Sequence, residues 1–317
     1  MTTQPNATTS ASGISSFFNF QMTLSRRRIV TGYIFIMPFI LGFLFWFLIP
    51  ALVSIYLTFQ KWNLMTPPQY VGMQNIEHLF NDPLLLQSLK ATFLFSFLSV
   101  PLSLLLSFFL AMLLHREIRG IGIFRTLYYL PSIVPAIATA LLWAWMFNTE
   151  FGLVNVLIRA LGGAKIPWLQ STTWAIPAFI ILSLWGAGGP MIIFLAGLQG
   201  IPDIFYEAAD IDGAGRLDKL RHVTLPLMSP IIFFNLVLGV INAFQQFTIV
   251  YLITSGTGGP ENATLFLVLY IYRTGFRNLN MGYAAAVSWV LFIILAVLSF
   301  IIFKFLGNRV YYANPGE

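Results

Sequence analysis

The sequence predicts an all-α membrane protein, a six-helix transmembrane bundle, on three observations: its composition, the length of its apolar runs, and the polarity of what separates them. Hydrophobic residues make up 58% of the 317 and charged residues only 9%, against roughly a quarter charged in an ordinary soluble domain. Such a chain cannot cover itself with polar surface, and apolar runs of about 18 residues or more need lipid to face. Aromatics at 16%, with Phe the commonest, suit lipid-facing helices that end in Trp and Tyr at the interfaces.

Residues 1 to 25 are rich in Ser, Thr, Asn and Gln, carry no acidic or basic side chain, and hold one short apolar patch from Ile14 to Phe20. With Arg26, Arg27 and Arg28 they read as a disordered cytoplasmic tail over residues 1–28. The apolar stretch after the arginines outruns the roughly 7 to 15 residues of a signal-peptide core and has no Ala-x-Ala-like exit, so it reads as a retained first span. A transmembrane domain over 29–306 follows, with spans at 29–57, 88–114, 123–147, 174–198, 227–253 and 282–305, and a tail over 307–317. Pro, Gly and charge separate the spans, as at Lys61 to Gln87, Asn148 to Thr173 and Gln199 to Pro226.

Orientation follows from counting Lys and Arg. With the N-terminus inside, one side carries 11 of them, from Arg26 to Arg309, and the other carries 6, namely Lys61, Lys90, Arg159, Lys165, Arg273 and Arg277. Both termini are therefore expected in the cytoplasm. The net charge of +6 gathers at the ends of apolar runs, which argues for orientation in a bilayer and against nucleic acid. Cysteine is absent, and His78, His115 and His222 are scattered over three loops, so no metal or cofactor is expected in this chain. All 11 carboxylates fall in loops or termini, whereas an ion-coupled carrier often holds one at mid-membrane.

The segment Gln199 to Pro226 holds five of the eleven acids: Asp203, Glu207, Asp210, Asp212 and Asp218, beside Arg216, Lys219 and Arg221. Pro202 and Asp203 suit the opening of a short helix, Gly213 and Gly215 break it, and Leu217 to Val223 form a second before Pro226 starts the next span. The plain reading is an amphipathic interfacial loop. The spacing says more: Glu207-Ala208-Ala209, three residues, Gly213, nine residues, Val223, one residue, Leu225-Pro226 resembles the EAA-x3-G-x9-I-x-LP signature of permeases in ATP-binding-cassette importers, with Val for Ile the one departure.

That resemblance runs from the first span to about Phe305. Phe35-Ile36-Met37-Pro38, Tyr128-Tyr129-Leu130-Pro131, Ile133-Val134-Pro135, Trp143, Met146-Phe147-Asn148, Gly152, Asn155 and Trp168-Leu169 look like the branch for sugars, oligosaccharides and glycerol phosphates. It implies a bundle of the type I importer permease kind with a cytoplasmic coupling helix, in which Glu207, Ala208, Ala209, Gly213, Leu225 and Pro226 dock on an ATPase. It implies as partners a second homologous permease forming a heterodimer, two ATPase subunits, an extracytoplasmic solute-binding protein and membrane lipid. ATP and Mg would be held by the partner ATPase, since the chain lacks GxxxxGK[ST].

A polar path needs side chains that lipid would penalise. Asn235, Asn242 and Gln246 share one face of the fifth span, with Gln245 close by; they either line the path or bond a neighbouring helix. Tyr283 and Ser288 in the sixth span could add hydroxyls, and Tyr283 reads equally as packing. The run Trp185-Gly186-Ala187-Gly188-Gly189-Pro190, like Pro131 and Pro135, either bends a pore helix or packs closely through small residues. The alternatives are an ion-coupled secondary carrier or channel, and an importer permease for a non-carbohydrate solute. A membrane-embedded enzyme would need a nucleophile with its base, or a ligand set, near one face; neither is present, so a non-catalytic transport subunit is expected.

Overall fold

The computed structural model describes residues 23–307 except Glu117. The disordered tail expected up to residue 22, and the tail beyond Gly307 with Arg309, lie outside the described residues. The chain divides into two units, residues 1–54 and 55–317. The first holds α1 (Leu24–Phe43), a π-helical turn at Leu44–Leu48 and the opening of α2 (Ile49–Thr58). Leu24–Thr58 forms one run of 35 residues, about 50 Å at 1.5 Å per residue, more than a bilayer core is thick. Phe35, Phe39 and Trp46 are exposed along it, as on a surface meant for lipid.

The second unit opens on a two-stranded antiparallel ribbon, β1 (Gln60–Lys61) and β2 (Gln69–Tyr70), then α3 (Gln74–Asn81) and the 32-residue α4 (Pro83–Leu114). Asp82 caps α4, its Oδ1 accepting the Leu84 N–H at 2.9 Å, and Pro83 occupies the first turn, where its missing N–H costs nothing. α4 is central: it packs against α8 (Ala175–Trp185), α9 (Gly188–Gln199), α12 (Leu225–Phe244) and α14 (Leu267–Tyr272).

Where one span was expected over 123–147, there are two helices, α5 (Ile121–Ile133) and α6 (Ala136–Met146), bent by 95°. A proline disfavours helical backbone in the residue before it, and Val134 is extended ahead of Pro135. After α7 (Leu153–Ala160), the fourth span breaks between α8 and α9, with a 45° bend. Its glycine run both bends the helix and packs closely. The helix bends, and the freed Ala187 carbonyl accepts the Ser107 hydroxyl at 2.8 Å, as backbone at membrane depth requires. Gly188 meanwhile packs so closely on α5 that an added Cβ would lie 2.0 Å from the Tyr128 carbonyl oxygen.

α10 (Ile204–Ile211) is followed by a turn at Gly213 and by α11 (Arg216–Lys219). The second short helix expected over Leu217 to Val223, separate from the next span, is not separate. α11 runs through a π-helical turn at Leu220–Thr224 into α12, and the helical run Arg216–Ile253 reaches through to α13 (Thr248–Ile253). Pro226 lies in the first turn of α12, and since the run is already helical before it, its missing N–H leaves one backbone bond of the run unmade, next to the π-helical turn. A π-turn at Arg273–Arg277 follows α14, and α15 (Met281–Leu306) closes the unit. At its start Gly282 lies against β1, where a Cβ would meet the Gln60 carbonyl oxygen at 1.7 Å.

Three apolar clusters hold this unit together. One gathers Phe95, Phe179, Phe266, Leu267 and Val287. A second joins Ala111, Met191, Phe194 and Met228, and a third stacks Trp143, Phe147 and Trp168 beside Ala178 and Leu182.

Candidate functional site

The acidic segment folds into a knob. α10 presents Glu207 and Ala208 exposed and Ala209 half-buried. Ile211 is 88% exposed and Leu217 75%, an apolar surface on a segment too charged for the bilayer interior. Gly213 turns the chain at φ +73, a conformation that side chains resist, and no atom outside its neighbours lies within 4 Å of where its Cβ would stand. The turn is closed by the Ala214 N–H donating to the Ala209 carbonyl at 2.9 Å, and the Asp218 carboxylate accepts the Gly215 N–H at 3.1 Å.

Two ties bind the knob to the helix that follows. Lys219 forms an ion pair with Asp210, and the Tyr206 hydroxyl lies 3.1 Å from Thr224 Oγ1 at the root of α12. Leu225 and Pro226 stand at that root. Sequence reasoning missed Tyr206 and Thr224, because a tie across 18 residues leaves no periodicity.

α12 carries Asn235 and Asn242, and Gln245 and Gln246 follow its C-terminal end. A cavity of about 540 Å³ opens where α4, α5, α8, α9 and α12 meet. Asn235, Asn242 and Gln246 line it with Ser99, Ser103, Tyr129 and Ser183, among apolar residues such as Phe95 and Leu238. Asn235 is buried and donates Nδ2–H to the Ile231 carbonyl at 3.0 Å, while Asn242 is exposed. The hydroxyls of Ser99 and Ser103 went unremarked, although Ser88, Thr92, Ser96, Ser99, Ser103 and Ser107 recur every three or four residues on one face of α4. No charged side chain is among the residues lining this cavity.

Gln245, Tyr283 and Ser288 do not line it. Ser288 turns its hydroxyl back on the Ala284 carbonyl at 2.8 Å. Tyr283 is 2% exposed, donates to Asp82 Oδ2 at 2.6 Å and packs its ring 4.5 Å from that of His78. Tyr270 donates to the same oxygen. Burial raises the Asp82 pKa, but the bonds from Tyr270 and Tyr283 and from the Leu85 and Leu84 amides outweigh it and leave the carboxylate below its ordinary value. Burial, then the bond to Asp82, pushes Tyr270 up to about 12. Among the described residues no group of three His, Cys, Asp or Glu could hold a metal ion.

Residues 100–311, which include the cavity's amides and the whole knob, match the family described as the binding-protein-dependent transport system inner membrane component. The chain belongs to that family. The permease is 41% identical over 295 residues to the probable ABC transporter permease protein YesP of Bacillus subtilis, covering 92% of this chain and 95% of that one. It is 36% identical to the lactose transport system permease protein LacF of Rhizobium radiobacter, covering 94% and 97%. To the sn-glycerol-3-phosphate transport system permease protein UgpA of Pectobacterium atrosepticum it is 35% identical, covering 92% and 100%. Among solved structures, a chain of a bacterial alginate ABC transporter, in complex with its alginate pentasaccharide-bound periplasmic protein, matches with a TM-score of 0.75 at 25% identity, covering 89% of this chain and 94% of that one. The permease therefore has the type I importer fold, and its role is transport.

Proposed function

We propose that the permease is the pore-forming half of an ATP-driven importer for a sugar, polyol or glycerol-phosphate solute, acting beside a second homologous permease. Two ATPase subunits bind beneath it, and a solute-binding protein delivers from outside. Both termini lie in the cytoplasm of a bacterial plasma membrane, and the knob faces the ATPase. The observation that carries this reading is the tie between knob and cavity: α10 is bound by Tyr206 and Asp210 to the helical run whose next turns bring Asn235 and Asn242 to the cavity wall, with Gln246 just past the end of α12. Movement of a docked ATPase against α10 is then passed through these two ties to the helical run that starts at Arg216 and carries Asn235 and Asn242. Glu207, Ala208 and Ala209 form the contact, with the small residues allowing close approach and Glu207 offering a charge-assisted bond. The solute class is supported by amides and hydroxyls around a cavity of sugar size and by relatives named for lactose and sn-glycerol-3-phosphate. ATP and Mg belong to the partner ATPase.

The test is Gly213→Trp in the assembled transporter. Among the described residues no atom beyond its chain neighbours lies within 4 Å of where its Cβ would stand, so the indole is expected to project from the knob toward the partner. The expected result is loss of co-purifying ATPase with the permease still in the membrane. Retained ATPase and retained solute-stimulated hydrolysis would overturn the coupling assignment.

A further inference from the structure

Beside the knob lies a second cavity, of about 1110 Å³, that transport chemistry leaves unexplained. It opens where the end of α4, the start of α5, the end of α9 and the start of α10 meet. Arg119, Arg125 and His115 line it, with Asp203 the one acid among the described residues of its wall. Arg119 and His115 have no hydrogen-bond or ion-pair partner among the described residues. Arg125 gives Nε and Nη2 to the Leu114 carbonyl, at 3.3 and 2.9 Å, which leaves Nη1 to face other partners. α5 starts here on Gly120 with no side-chain cap, so the positive end of a 13-residue helix adds to the two guanidiniums. Cations so grouped at the end of membrane helices attract an anion.

The adjoining surface says which kind. Ile118, in the cavity wall just before α5, and Ile123, Phe124 and Leu127 on α5 are all more than half exposed. An exposed isoleucine thus stands in the wall of a basic recess, and exposed apolar side chains follow on the adjoining helix, which is the pattern of a phospholipid with its headgroup in the recess and its acyl chains beside the helix. A soluble anion would have no use for that face, and an acidic partner protein would not need it.

We propose that this recess binds the phosphodiester of an anionic phospholipid, held by Arg119 and the free end of Arg125 with its chains along α5. Pro202, Asp203 and Tyr206 of the knob also line the recess, so a seated headgroup touches the element that transmits the ATPase's work. Asp203 sets the limit: it repels a second negative charge, which favours a singly charged phosphodiester over a phosphomonoester. The inference requires a membrane-embedded chain but not the proposed cargo.

The experiment uses the complete transporter in nanodiscs of phosphatidylcholine with or without one-fifth phosphatidylglycerol, and counts retained lipid by native mass spectrometry after delipidation. Retention of phosphatidylglycerol over phosphatidylcholine, falling roughly fivefold in Arg119→Gln and recovering in Arg119→Lys, is the expected result. Equal retention of the two lipids, or retention unchanged in Arg119→Gln, would overturn the proposal. So would displacement by millimolar inorganic phosphate, which would mark the recess as a site for a soluble anion. Solute-stimulated hydrolysis in the same discs separates this outcome from failure of the transport reading, since lipid retention is measured whether or not ATP is turned over.

Discussion

Asp82 shows how one side chain can organise a membrane protein away from its pore. It caps α4 with one oxygen and accepts two tyrosine hydroxyls, from α14 and α15, with the other. Tyr283, which by type suited a sugar path, is thereby committed to packing. Tyr283→Phe is expected to lower stability by about 1 kcal/mol, the usual net worth of a hydrogen bond, and to leave solute-dependent ATP hydrolysis intact; thermal unfolding in detergent and a hydrolysis titration check the two halves. Asp82→Ala strands both hydroxyls and the cap, and about 2 kcal/mol or more is expected to go. The pH dependence follows from the depressed folded pKa. The carboxylate's contribution is complete above its unfolded value near 4 and is lost as pH falls through the lower folded value. An acid titration of the melting temperature should therefore lose part of its slope below about pH 4 in Asp82→Asn.

At the scale of elements, the broken helices are held by close approaches that only glycine allows. Gly188→Ala would place a methyl 2.0 Å from the Tyr128 carbonyl, with backbone rather than a flexible side chain in the way. Either α9 or α5 must shift, at a cost of roughly 1 to 3 kcal/mol, which a melting curve will register. Gly213→Ala is different in kind. It meets no atom but is forced to φ +73, and a loss of about 1 kcal/mol is expected with ATPase binding preserved, so the two glycines are separable by assay. Much of this level was legible: the six apolar stretches, the glycine break and the proline-weakened third span all stand in the sequence. The 95° bend was not, because a proline permits several angles and the neighbours that select one are distant in the chain.

For the molecule as a whole, the proposed coupling requires a rigid path from knob to cavity. Tyr206→Phe removes the hydroxyl that meets Thr224 while leaving the docking face untouched. ATPase should still co-purify, and solute-stimulated hydrolysis should fall several-fold relative to basal hydrolysis. If stimulation is unchanged, work passes through the Gly213 turn and the Lys219–Asp210 pair instead. That pair is largely solvated on its acid side, and exposed pairs contribute under about 1 kcal/mol.

The sequence by itself determined the solvent, the number of apolar stretches and the signature spacing from Glu207 to Pro226, because each is a property of neighbours in the chain: hydropathy summed over a window, or residue types at fixed intervals. Tertiary structure decided which polar side chains share a space. Asn235, Asn242 and Gln246 meet Ser99, Ser103 and Tyr129 in one cavity, while Tyr283, equally polar and also in a span, turns away to Asp82, some 200 residues earlier. A side chain's direction within a bundle depends on which helices pack against its own, and that is set by contacts between residues far apart in the chain.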